Sequence, residues 1–188
     1  MFKKKNFLKF SIQNSSAGFT IMETLVAMFI LVVGIGASFS LINQTLATAS
    51  MAESKLVASY LAQEGIELVK NLRNKAWLDI RSGGSGPWDR YIQEGDWEVD
   101  YLSEDLSRSF SDGGAFLYIE EASGFYKYIN SPGSNDVKTK FTREISITKI
   151  PLGEDEYNLE AKVTIGWQEK GRTHNFEILE NITNWYGL

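Results

Sequence analysis

The chain has 188 residues and a formal net charge of −5, which is room for one domain of ordinary size plus an appendage. Its acidic balance offers none of the clustered basic surface that a general nucleic-acid binder uses to neutralise phosphates. It has no cysteine and one histidine, His174, so disulfide frameworks, thiolate chemistry and multi-histidine metal sites are excluded and stability must come from packing.

A mean hydropathy of −0.20 conceals a division between an apolar N-terminal segment and a polar remainder. Residues 1–18 form a basic leader, with Lys3, Lys4, Lys5 and Lys9, no acidic residue, and a polar stretch that ends at Ala17 and Gly18. Over 19–52 the only charge is Glu23, and 24–42 is uncharged and mostly apolar throughout. As a helix, 24–42 is about 28 Å long at about 1.5 Å per residue, close to the roughly 30 Å thickness of bilayer hydrocarbon. A buried core helix seldom stays uncharged for five turns, so the segment reads as membrane-spanning. Lysines precede it and the flank at 52–55 is near neutral, which puts the N-terminus on the cytoplasmic side and the rest outside.

The spacing predicts that the helix continues, amphipathic, over 53–80. Leu56, Tyr60, Leu61, Leu68 and Leu72 form a stripe expected to lie on a folded domain, while Glu53, Lys55, Glu67, Lys70 and Arg73 face water or neighbours. Ser82-Gly83-Gly84-Ser85-Gly86-Pro87 ends it, near 77–80. The period then changes from helical to alternating. Strands are predicted at 97–102, 115–120, 125–129, 141–150, 160–168 and 174–179, joined by Gly-, Pro-, Asn- and Asp-containing turns at 112–114, 123–124, 131–135, 151–155 and 170–171. The clearest strand sets Phe141, Arg143, Ile145, Ile147 and Lys149 on one face against Thr142, Glu144, Ser146 and Thr148 on the other. The expected fold is α+β: a long N-terminal helix, membrane-spanning in its first half, packed in its second half on an antiparallel sheet within a β-rich head at 81–188.

Gly18-Phe19-Thr20-Ile21-Met22-Glu23 joins a basic leader, a glycine, an aromatic residue, a glutamate and an apolar helix in that order. An ordinary secretory signal puts the apolar run before its cleavage site, whereas here the run follows the glycine and would be retained. The arrangement resembles the class III leader of type IV prepilins and pseudopilins. The resemblance implies that prepilin peptidase, a membrane aspartyl peptidase, cuts after Gly18, that the new N-terminus at Phe19 is methylated, and that 19–52 forms the core of a filament with other pilin subunits. It implies a pilin-like head, no enzymatic activity and no cofactor.

Glu23 carries a physical argument of its own. A carboxylate in an apolar helix costs a few kcal/mol or more unless it is protonated or paired. The nearest cation would be the α-amino group that cleavage creates on Phe19, in the same chain or a neighbour, a pairing that sets register more than it adds stability. The plainer reading seats Glu23 at the headgroup boundary. Gly34 and Gly36, mid-helix, either let helices approach closely or loosen the helix on polymerisation, or are merely tolerated.

Other constellations are weaker. Acidic groups at 104–105, 120–121 and 154–156 lack the spacing of a calcium loop and read as solvated turns. The five tryptophans and eight tyrosines read mostly as packing. Exposed aromatics with Lys138, Lys140 and Arg143 form a candidate grip on a surface, a sugar or a DNA strand. Asn181-Ile182-Thr183 fits the glycosylation acceptor pattern, which also arises by chance. Three functional readings remain: a minor subunit of a type IV pilus-like filament, a pseudopilin of a secretion or DNA-uptake machine, and an anchored binding domain that never polymerises and keeps its leader.

Overall fold

The computed structural model describes residues 18–111, 113–129, 133, 135–153 and 156–185. Leader positions 1–17, and parts of the turns expected at 112–114, 131–135 and 151–155, lie outside the described residues. The order of elements is α1 (Ile21–Arg81), β1 (Gly95–Trp97), β2 (Phe116–Ile119), β3 (Tyr126–Lys127), β4 (Val137–Pro151), β5 (Tyr157–Glu169) and β6 (Arg172–Ile182). The architecture is α+β and pilin-like, with one long apolar helix at the N-terminus and a six-stranded antiparallel sheet. The chain divides into two compact units, Met1–Thr48 and Ala49–Leu188.

Both ends of α1 are written in local chemistry. At the start, Thr20 Oγ1 accepts the Glu23 N–H at 3.2 Å, so Thr20 caps one of the donors that an N-terminus leaves unpaired. At the end, Gly83 takes a left-handed φ of 97°, and its N–H donates to Ile80 O while the Gly84 N–H donates to Asp79 O at 2.9 Å. This is the Schellman pattern, in which a residue without a Cβ lets the chain turn back on its last carbonyls. The expected stop is therefore found at Arg81.

Within the second unit, β4, β5 and β6 form a meander in continuous register, with Phe141 opposite Trp167 and Trp167 opposite His174. The other edge of β4 is shared: Phe116 of β2 lies opposite Thr142, while β1 pairs over Ile145–Ile147. The inward face predicted for 141–150 holds for Phe141, Arg143, Ile145 and Ile147, all buried, and they meet Leu159, Ala161, Val163, Ile165 and Trp167 of β5 in one core. Lys149, at the end of that row, is exposed, with Nζ 3.4 Å from Asp89.

Two expectations are corrected. The helix does not use Leu56 and Tyr60 against the sheet, for they are 54% and 62% exposed; its buried face is Ser54, Ala58, Leu61, Ala62, Gly65, Ile66, Val69, Leu72, Ala76 and Trp77. At 100° per residue the two large residues fall on the opposite side. The reason is distance: a Cβ at Gly65 would stand 2.8 Å from Val163 Cγ1 and 3.3 Å from Arg143 Cδ, so the helix sits too close to the sheet for anything but small residues at its centre. The strand expected at 97–102 is also short, ending at Trp97. Beyond it two buried carboxylates organise a loop instead of a ladder. Glu98 accepts from Arg108 and from the Ala115 N–H at 2.6 Å, and Asp100 from the N–H groups of Leu102 and Tyr128 at 3.1 and 3.0 Å. These bonds satisfy backbone donors that a strand would have given to a neighbour.

Candidate functional site

Gly18 and Phe19 precede the helix and are exposed, Phe19 at 80%. Glu23 stands in the first turn, where the helix dipole favours a negative charge. All residues over 18–46 are exposed, an apolar surface that only lipid or other helices would cover. Three hydroxyls along this part of the helix bond back to its own carbonyls. Ser38 Oγ donates to Gly34 O at 2.8 Å, Thr45 Oγ1 to Leu41 O at 2.8 Å and Thr48 Oγ1 to Gln44 O at 2.9 Å, which is how a helix in hydrocarbon satisfies its polar atoms.

Gly34 and Gly36 have nothing within 4 Å of where a Cβ would stand. Packing inside this unit therefore does not require them. Gly34 lies in a shallow apolar groove with Ile30, Leu31, Ile35, Ser38 and Phe39.

A polar cluster that sequence reading missed lies where the chain enters the second unit. Glu169, at the end of β5, accepts from Ser50 Oγ and from Ser54 Oγ at 2.6 Å, and Lys140 Nζ stands 3.2 Å away. The serine hydroxyls, Ser50 first, outweigh the burial that would raise this carboxyl, Lys140 adds to them, and its pKa is held down to about 2. Only a sequence separation of 115 residues or more hides the cluster from a linear reading. A folded-state pKa below the ordinary value means stability that is present above about pH 4.5 and lost as pH falls toward 2. We expect Glu169→Gln to flatten part of the acid slope of head stability between those values, read as the urea midpoint of tryptophan fluorescence in detergent micelles at pH 6, 4 and 3. An unchanged slope would show that the cluster does not hold the helix to the sheet.

The basic grip expected from Lys138, Lys140 and Arg143 is not assembled. Arg143 is fully buried under the helix, and Lys140 is tied to Ser54 and Glu169, with its Nζ 5.7 Å from the centre of the Phe141 ring; Lys138 rests on another aromatic, 3.9 Å from the centre of the Phe116 ring. Trp77, Trp88 and Trp167 are core, as expected, and His174 stacks on Trp167 at 5.5 Å. Of the acidic groups, Glu120 is satisfied internally by Lys127, Ser123 and Tyr101. Among the described residues no three of His, Asp or Glu gather as a metal-holding group, while Glu154 and Asp155 lie outside them. Asn181 is exposed on β6.

The model of the prokaryotic N-terminal methylation motif matches residues 13–39, the stretch that holds Gly18, Phe19, Glu23, Gly34 and Gly36. Neither the curated proteins nor the solved structures give a match to the chain. The motif is the leader signature of prepilins processed by prepilin peptidase, and with an apolar helix able to cross a membrane it supports anchoring in the inner membrane. The chain thus carries a prokaryotic N-terminal methylation motif at the head of an apolar helix, which supports a likeness to the type IV pilin and pseudopilin family.

Proposed function

We propose that the chain is a structural, minor subunit of a type IV pilus-like filament. Prepilin peptidase cleaves after Gly18, Phe19 becomes the methylated N-terminus, and the subunit waits in the cytoplasmic membrane as a single-pass protein, N-terminus in and head out, until its helix joins those of other subunits. The observation that carries the reading is the ordered set of Gly18, Phe19 and Glu23 inside the matched motif, at the head of a helix whose first turns are exposed on every side. Leu56 and Tyr60 support it: large apolar residues on the helix side away from the sheet offer area to a neighbouring helix. Gly34 and Gly36, free of intramolecular contacts, suit close helix approach. The minor role rests on the elaborate head, whose long meander is joined by one further short strand and a two-stranded hairpin.

The experiment is N-terminal peptide mass spectrometry of the protein from its native membrane. A chain that starts at Phe19, with or without an added methyl group, is the expected result. An intact leader would favour the anchored domain that never polymerises, and cleavage after the apolar run would overturn the prepilin reading. Abundance then separates a shaft subunit, which must be plentiful, from a minor pilin or a pseudopilin.

A further inference from the structure

β6 forms one edge of the sheet, and that edge is bare. Among the described residues β6 pairs with β5 alone, and its backbone makes no hydrogen bond on the other side. No residue from Arg172 to Asn181 is buried. Exposed edges are usually blunted by shortness, proline, lysine or a bulge. β6 uses none of these: it runs for 11 residues, about twice the usual strand, contains neither proline nor lysine, and keeps continuous register with β5. On the helix side of the sheet its Phe176 and Ile178 pack on the core yet stay only partly buried, so apolar surface accompanies the open edge.

Unpaired N–H and C=O groups along an edge accept another strand, and the sequence of β6 is complementary to itself. In a two-fold antiparallel pair, each register is defined by the residue that meets its own copy. Centring on Glu177 would use the strand from end to end but set two glutamates directly opposite, which is unfavourable. Centring on Phe176 places Arg172 opposite Glu180 of the second copy at both ends, sets Asn175 against Glu177 and brings the two Phe176 rings together. The two Glu177 side chains are then diagonal neighbours, at about 7–8 Å. Registers centred further out shorten the ladder. Both charges are available: Arg172 forms no ion pair among the described residues, and Glu180, 3.4 Å from Lys70, keeps 45% of its side chain exposed. Exposed ion pairs contribute little affinity, so they select the register while the ladder and the aromatic contact hold it. We propose that two copies of this chain pair antiparallel along β6, centred on Phe176, so that one sheet continues across both heads. The direction of the pair decides what it joins. Within the second unit α1 runs along β6, from Ser54 beside Glu169 to Lys70 beside Glu180, so the two chains enter the pair from opposite ends. Subunits of one filament share a direction; the contact therefore links subunits of two filaments that run oppositely, a step that rests on the filament reading above.

The test uses the full chain, which has no cysteine of its own, in detergent micelles diluted with an excess of empty ones. Thr173→Cys, Asn175→Cys and Leu179→Cys, all at exposed positions of β6, are made as separate chains and oxidised in mixed pairs with one chain tagged. Directly opposite residues have Cα atoms about 4.5–5.5 Å apart, within disulfide reach, whereas diagonal neighbours lie beyond it. Thr173→Cys should bond to Leu179→Cys, and Leu152→Cys, exposed beyond the far end of β4, should not bond to itself. Arg172→Glu in both chains, which sets like charges opposite at each end, should cut the yield on the order of tenfold, and Arg172→Glu/Glu180→Arg should restore it. The proposal is overturned by an absent cross-link, by equal cross-linking at Leu152, by a faster bond between Asn175→Cys and Leu179→Cys, which marks the register centred on Glu177, or by a yield that ignores Arg172→Glu. Each of these leaves the filament reading standing, whereas a leader found intact in the native membrane overturns that reading and leaves the pairing of heads standing.

Discussion

Replacing Arg143 by methionine is expected to lower the stability of the head by about 3 kcal/mol, at the low end of the roughly 3–5 kcal/mol that breaking a buried ion pair costs. The low end applies because Glu64, its partner at 3.2 Å, keeps a third of its side chain exposed and can be rehydrated once released. The rest of the cost comes from geometry. Arg143 is fully buried, with one terminal nitrogen donating to Leu61 O of the helix at 3.2 Å and the other to Val99 O of the loop after β1 at 2.6 Å. Its own carbonyl accepts from Tyr128 Oη at 2.8 Å, a phenol whose pKa burial pushes up to about 12. One side chain therefore joins helix, loop and sheet, and methionine, which fills much of the same volume, leaves the Val99 carbonyl buried without that donor. At about 2–4 °C per kcal/mol for a domain near this size, the melting temperature should fall on the order of 10 °C. Arg143→Lys should recover only part of the loss, because an ammonium keeps the charge beside Glu64 but lacks the fork that spans two carbonyls. A loss below about 1 kcal/mol for methionine would show that the guanidinium network contributes little.

Arg143 also shows where a linear reading stops. The alternation of 141–150 places it on the inward face, yet its charge invited a surface role beside Lys138 and Lys140; the partners that make burial possible are carbonyls of residues 61 and 99, and carbonyls leave no mark in a sequence. Similarly, the stripe on α1 was sought in large residues, whereas the close approach of helix to sheet selects Ala58, Ala62 and Gly65 and leaves Leu56 and Tyr60 outside. The buried carboxylates Glu98 and Asp100 turned an expected strand into a loop for the same reason, since their donors come from residues 108, 115 and 128. What could be read directly was local or periodic. The uncharged run after Glu23 marks the apolar helix by itself, the glycines at 83 and 84 end it, and the long strands β4 and β5 follow from alternation and turn chemistry. Of the matched motif at 13–39, the residues and their order were legible because the signal is itself linear.

Glu23→Gln is expected to leave the subunit cleaved and in the membrane but to reduce its incorporation into filaments on the order of tenfold or more, equivalent to about 1.4 kcal/mol of lost docking free energy. The substitution separates two roles. In the structure Thr20 caps the helix through the backbone N–H of Glu23, so the cap survives any side chain at this position. The favourable effect of a carboxylate on the helix dipole, typically about 0.3–1 kcal/mol, acts within one subunit and should not govern polymerisation. A pairing of Glu23 with the α-amino group of Phe19 on a neighbour would govern it, because an unpaired charge in an apolar bundle costs several kcal/mol and the amine exists only after cleavage. Glutamine keeps shape and polarity while removing that charge. The measurement is the ratio of variant to parent subunit in sheared filaments, with mass spectrometry to confirm that both begin at Phe19. Normal incorporation of a correctly cleaved Glu23→Gln subunit would reduce Glu23 to its place in the first turn of the helix. Loss of incorporation that is restored when the same bacterium also supplies parent subunits would show that the neighbour's Glu23 can meet the variant's free amine, which makes the pairing intermolecular.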